Sequence, residues 1–224
     1  MTAELSTREA GDPGRPTLLL VHGSGQGARM WRRQLASLSD RYHVVAVDLP
    51  GFGCSPGPFS MARAVAGVAR LAERHRPAHV CGISLGSVVA AGVAAERPEL
   101  VDRLVLSGPV IAPARSGPGL IRRYRRWPGW LVRAVTDVPD RAGWLAVVGA
   151  MEATDLTDLL PSITAPTLVL CGQRDRECLP DAHTMAAAVP AAHLVVVPHV
   201  GHLIPVTAPK AFDAVVGGFL GSAG

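Results

Sequence analysis

Six short apolar runs, rich in β-branched residues, recur along this chain at 17–21, 43–47, 78–81, 104–106, 167–170 and 193–197, each closed by small or turn-forming residues. The apolar character is continuous within each run rather than alternating, as expected of strands covered on both faces. Helix-like segments separate most of them, and the pattern predicts helices over 30–38, 61–74, 84–95, 181–189 and 208–220. Strand–helix alternation of this kind predicts an α/β fold, a doubly wound and mostly parallel sheet with helices on both faces. Functional groups should then gather at the C-terminal ends of the strands.

One stretch breaks the rhythm. From Pro109 to Pro166 there is no strand signal, only helical patches interrupted by Pro and Gly, and three of the four tryptophans (Trp127, Trp130, Trp144) fall there. The expected organisation is a core of residues 1–111 and 163–224 with a short helical lid at 112–162.

Within that frame, Gly82-Ile83-Ser84-Leu85-Gly86 follows an apolar run and opens a small, apolar helical stretch. A Gly-x-Ser-x-Gly sequence is informative only in this strand-to-helix context. It puts the serine on a sharp turn with its hydroxyl above the sheet, while the flanking glycines avoid collision with the neighbouring strand and helix. The following helix aims its free amides and positive dipole end at charge developing nearby.

A serine hydroxyl is a weak nucleophile and needs a base, itself oriented by an acid. His202, in Gly201-His202-Leu203 just after the last strand, is the candidate base. His199 ranks second because it lies closer to the strand and before the glycine. Asp175 follows the preceding strand in Gly172-Gln173-Arg174-Asp175 and is the candidate acid. Glu177 reads as a solvated loop charge and Asp181 as a helix N-terminal residue. Asp102 lies at the wrong end of its strand, and Asp48 comes before the serine. For the oxyanion, the amide of Leu85 would be one donor and that of Ser24, in His22-Gly23-Ser24-Gly25-Gln26-Gly27, the other. That loop lacks the spacing of a phosphate-binding motif.

Composition adds limits. The 224 residues are 48% hydrophobic, enough chain for one domain with a large core. No apolar run reaches the length of a membrane span and the start of the chain is polar, so a cytoplasmic, membrane-free protein is expected. Cys54, Cys81, Cys171 and Cys178 are scattered, with no Cys-x-x-Cys pair, and suggest neither a disulfide framework nor a metal site. The net charge of +4 is modest, and Lys210 is the only lysine among 22 basic residues. This arginine bias accompanies abundant Ala and Gly and does not point to nucleic acid.

The chain resembles the α/β-hydrolase superfamily over almost its whole length. The resemblance rests on His22-Gly23-Ser24-Gly25 with Trp31 shortly after, Asp48-Leu49-Pro50-Gly51-Phe52-Gly53-Cys54-Ser55, Gly82 to Gly86, Gly172 to Asp175 and Gly201-His202. It implies a Ser84–His202–Asp175 triad that cleaves a carboxylic ester, lactone or thioester through an acyl-enzyme, without metal or organic cofactor. The branch it is similar to holds small esterases, lactonases, carbon–carbon bond hydrolases and thioesterases; those using an aspartate nucleophile fit poorly. Acyl transfer, cyclisation or carbon–carbon cleavage would use the same residues, whereas a non-catalytic binding protein would have no need of the triad.

Three departures from the family stand out: a short N-terminal segment with room for one opening strand, Ser87 where a glycine often follows the turn, and the short lid. The candidate substrate contacts are Gly25, Trp31, Trp127, Trp130, Trp144 and Leu203. Arg115, Arg122, Arg123, Arg125, Arg126 and Arg133 fall in one stretch with no acid among them. They are either a solvated helix face or a basic patch for an anionic partner such as acyl-CoA or an acyl carrier protein.

Overall fold

The continuously apolar runs become the interior of one sheet. In the computed structural model, which describes residues 4–75, 77–116 and 118–222, the strands are β1 (Thr7–Ala10), β2 (Thr17–Val21), β3 (His43–Val47), β4 (Ala78–Ile83), β5 (Val101–Ser107), β6 (Thr167–Gly172) and β7 (Ala192–Val197). They are ordered β1-β3-β2-β4-β5-β6-β7. Only β1 runs antiparallel, pairing Thr7 with Val47 and Ala10 with Val44. Among the described residues it is the one opening strand, and it carries too little apolar residue to appear in the hydrophobic pattern. β7 is the other edge, and it is half-exposed rather than covered on both faces.

Alternate residues feed two cores. Leu19, Val21, Val45, Val47, Val80, Leu104, Leu106 and Val169 point to one side. There they meet helices α2 (Met61–Arg74) and α3 (Leu85–Glu96). Leu18, Leu20, Val44, Ala46, Ile83, Val105, Leu168 and Leu170 point to the other, against Trp31, Leu38, Phe212, Val216 and Leu220. Each fully buried aliphatic side chain contributes about 1.5–3 kcal/mol, so these paired layers dominate stability. Ser60 caps α2 by accepting from the amide of Arg63, worth about 1 kcal/mol. α3 is buried on almost every side, the placement expected of a helix without a polar face.

The expected first helix divides into a 3-10 turn, Ala28–Trp31, and α1 (Arg32–Ser37). Between β5 and β6 lie α4 (Pro113–Ser116), α5 (Pro118–Arg125), α6 (Gly129–Val135) and α7 (Arg141–Glu152). After β6 come α8 (Leu179–Ala188), α9 (Ile204–Thr207) and α10 (Pro209–Gly221). Strand order reverses about β2, which pairs with β3 on one side and β4 on the other. Open α/β sheets bind ligands beyond the C-terminal ends of the strands at such a point.

Candidate active site

Beyond those strand ends lies a cavity of about 410 Å³, within the range of small-molecule sites. Its walls bring together Ser84, Asp175 and His202, three residues that the chain separates widely.

β4 delivers Ser84 and α3 starts immediately after it. Ser84 has φ 54° and ψ −118°, a conformation that costs a non-glycine residue on the order of 1–3 kcal/mol. Several bonds hold it there. Its amide donates to the Ser107 carbonyl at 2.9 Å, and its carbonyl accepts from the Ser87 hydroxyl at 2.6 Å. Ser87, one of the departures from the family pattern, therefore braces the turn. A Cβ on Gly82 would overlap the Gly86 carbonyl, and one on Gly86 would overlap the carbonyls of Val21 and His22. Both glycines are required by close backbone approach.

His202 Nδ1 lies 2.7 Å from Asp175 Oδ2. With Nδ1–H donating to the carboxylate, the lone pair is left on Nε2. Asp175 is buried while His202 is half-buried. Burial pushes the Asp175 carboxyl up, but the hydrogen bond and charge of His202, with bonds from Cys178, outweigh it and hold the pKa below the usual value. Gly108 at the end of β5 gives the pair room: a Cβ there would lie 2.9 Å from the imidazole and 3.5 Å from Asp175 Oδ2. No hydrogen bond joins Ser84 to His202 among the described residues, as is common in sites without substrate.

Leu85 opens α3, so its amide has no intrahelical partner. Ser24 lines the cavity opposite, in a loop braced by His22. His22 Nδ1–H donates to the Gly23 carbonyl at 2.8 Å, and Nε2 accepts from the Leu49 amide at 3.0 Å. Full burial lowers the His22 pKa to about 4, so the ring stays neutral and holds both bonds at neutral pH.

The competing residues are engaged elsewhere. Asp48 accepts from the amides of Ala28 and Cys54. Asp181 accepts from the Ile111 amide and the Ser116 hydroxyl. His199 is exposed and bonded through its amide to Gln173. Glu177 does reach the cavity wall.

Of the expected substrate contacts, Gly25, Trp127, Trp144 and Leu203 line the cavity. Trp31 and Trp130 do not. Trp31 is fully buried in the opposite core, with its ring 5.9 Å from that of Phe212. The tryptophan that ends the 3-10 turn faces the sheet rather than the strand ends. Trp130 is 66% exposed. Trp127 and Trp144 stack at 5.1 Å, with Tyr124 edge-on to both. Trp144 Nε1–H donates to the Tyr124 carbonyl at 2.9 Å.

The hydrophobic pattern had not singled out Leu120, Ile121 and Tyr124 as cavity residues. Their i, i+1, i+4 spacing on α5 was the available signal. Gly108 and Cys178 left no comparable trace in the chain.

The arginines divide. Arg115 pairs with Asp155 at 2.8 Å, and Arg125 pairs with Glu152. Arg123 reaches the cavity wall, and Arg122, Arg123, Arg125 and Arg126 border a shallow groove beside Trp127.

Comparison with known proteins bears on the family and the fold. The model of the alpha/beta hydrolase family matches residues 18–215. The chain belongs to that family. Like the relatives named as esterases and hydrolases, this member is a hydrolase. It is 29% identical over 195 residues to a pimeloyl-[acyl-carrier protein] methyl ester esterase of Methylococcus capsulatus, covering 72% of this chain and 77% of the relative. Among solved structures, a hydrolase from Pseudomonas aeruginosa PA01 superposes with a TM-score of 0.84 at 29% identity, covering 97% and 94% of the two chains. A thermophilic esterase from Thermogutta terrifontis gives 0.80 at 27% identity, with 96% and 92% covered. No described helix is long and apolar enough to cross a membrane.

Proposed function

We propose that this hydrolase cleaves a carboxylic ester, lactone or thioester through an acyl-enzyme on Ser84. The observation that carries the proposal is the 2.7 Å contact between His202 and Asp175 in a cavity that also exposes a strained serine turn. Ser84 Oγ attacks the carbonyl while His202 Nε2 takes its proton and then returns one to the leaving group. Asp175 holds the imidazole with its proton on Nδ1 and stabilises the positive charge it gains. The amides of Leu85 and Ser24 receive the oxyanion, where a single such donor contributes about 10²–10³ in rate. Water completes the cycle by attacking the acyl-enzyme.

The helices from 113 to 152 act as a lid. Tyr124, Trp127, Trp144, Ile121 and Met151 supply an apolar wall for the acyl group. The Arg122–Arg126 groove opens beside Trp127 and Arg123, which supports a substrate whose alcohol or thiol half carries negative charge. An acyl-CoA or an ester on an acyl carrier protein has that chemistry.

A fluorophosphonate probe should label wild-type protein at one serine and leave Ser84→Ala unlabelled. Parallel assays on short p-nitrophenyl esters, lactones and acyl-thioesters then rank the substrate classes. Absence of labelling together with absence of turnover on all three would overturn the proposal.

A further inference from the structure

Beside the His202–Asp175 pair, against the Nδ1 side of the imidazole, lies a third potential metal ligand. Cys178 Sγ is 3.6 Å from His202 Nδ1, and one ligand atom from each of Asp175, Cys178 and His202 lies within 4.8 Å of the other two. We propose that these three side chains form a binding site for a soft divalent cation of the zinc type, whose occupation switches Ser84 off.

The spacing fits the ion. With zinc–sulfur bonds of about 2.3 Å and zinc–nitrogen bonds of about 2.0 Å, a tetrahedral site separates sulfur from nitrogen by about 3.5 Å, close to the distance found. The carboxylate-to-imidazole separation must open from 2.7 Å to roughly 3.3 Å. The half-exposed His202 ring can supply that movement, while Asp175 is held by the Cys178 amide. The cavity gives the ion a route in and leaves the fourth position for water. The donor set of thiolate, imidazole and carboxylate suits zinc or cadmium rather than magnesium or calcium, which prefer oxygen alone.

The effect on the site follows from proton bookkeeping. The ion takes a lone pair from His202 Nδ1, so the ring's single proton moves from Nδ1 to Nε2. Cys178 loses its thiol proton to solvent on becoming a thiolate, and Asp175 exchanges its hydrogen bond for a bond to the metal. One proton is released for each ion bound. His202 then presents N–H to Ser84 instead of a lone pair and cannot act as its base. The switch, unlike the metal site itself, rests on the catalytic reading above.

Cadmium is the first probe because its thiolate complexes absorb in the ultraviolet. Titration of the metal-free wild-type protein should develop that absorption with one equivalent of cadmium, and fluorophosphonate labelling of Ser84 should fall in parallel. Zinc should block labelling in the same way and be reversed by a chelator. Cys178→Ser and Cys178→Ala should lose the absorption and require at least tenfold more zinc for half-maximal loss of labelling, each compared with its own metal-free rate. Cys54→Ser, whose exposed thiol lies outside the site, serves as the control and should behave as wild type.

No thiolate absorption in the wild type, or its persistence in both Cys178 variants, would overturn the site. Cadmium binding through Cys178 with undiminished labelling would overturn the switch. The wild-type absorption needs neither a variant nor activity. A protein that binds cadmium through Cys178 yet hydrolyses nothing would therefore fail the catalytic proposal and keep the metal site.

Discussion

Around Ser84 the backbone is enclosed so tightly that a single added methyl group at Gly82 or Gly86 would overlap carbonyl oxygens. Across the cavity, Tyr124, Trp127 and Trp144 are held by ring contacts and by one indole hydrogen bond. On the outer side of that wall, the Arg115–Asp155 and Arg125–Glu152 pairs are largely exposed and stabilise little. Interior packing is intolerant of volume change, and the helical wall shares in it through buried Ile121, Val132, Trp144 and Val148, whereas its exposed outer contacts open locally at lower cost. Under the acyl-enzyme proposal the difference would suit two tasks: fixed geometry for bond making on the sheet side, and adaptability toward varied acyl groups on the helical side. Substitutions on the sheet side should therefore change kcat most, and those on the helical side KM.

The largest effect is expected from Ser84→Ala. Rate should fall by up to ~10⁶ with the unfolding midpoint nearly unchanged, and retention of a tenth of wild-type turnover would remove Ser84 from its role. Asp175→Asn should cost up to ~10⁴ in kcat; a greater loss in Glu177→Gln would move the acid to that cavity-wall carboxylate.

The bracing of the sheet side also has a pH signature. His22 is driven to a pKa of about 4 by burial, while the unfolded chain protonates it near 6.5. Between those values the unfolded state binds more protons, so stability is complete above about pH 6.5 and falls as pH drops toward 4. The window is worth about 3 kcal/mol. Urea unfolding at pH 7 and pH 4.5 should show a smaller difference for His22→Gln than for wild type, and equal slopes in the two proteins would place the acid sensitivity elsewhere.

On the helical side, Trp127→Ala should raise KM for a long acyl ester by roughly tenfold, the equivalent of about 1.4 kcal/mol of lost contact. For acetate esters KM should barely move, and a matching fall in kcat for both would show that the ring supports the sheet side after all. The smallest effect belongs to the arginine groove. Changing Arg122, Arg123, Arg125 and Arg126 together to Gln should raise KM several-fold for an acyl-CoA and leave a neutral ester of the same acyl group unaffected. The difference should shrink with added salt as exposed charges are screened. Equal changes for both substrates would indicate a disturbed lid.

The chain by itself determined the parts of this protein that depend on local rules. Continuous apolar runs located β2 through β6 because a doubly covered strand has no polar face; the same pattern marked β7, although that edge strand is half-exposed. The span 61–74 matches α2 end for end because its helical period and Ser60 cap are local. The meeting of Ser84, Asp175 and His202 in one cavity was legible because each follows a strand at a glycine-bearing turn, where sequence specifies backbone shape. Tertiary structure alone decided what depends on which surfaces meet. It sent Trp31 to the far core and Trp130 to solvent, although all four tryptophans are equally apolar in the chain. It brought Leu120, Ile121 and Tyr124 over the strand ends, and it set Cys178 against the imidazole across a separation of 24 residues. Burial, ring stacking and metal-ligand distance belong to pairs of distant segments, and no single stretch of residues encodes them.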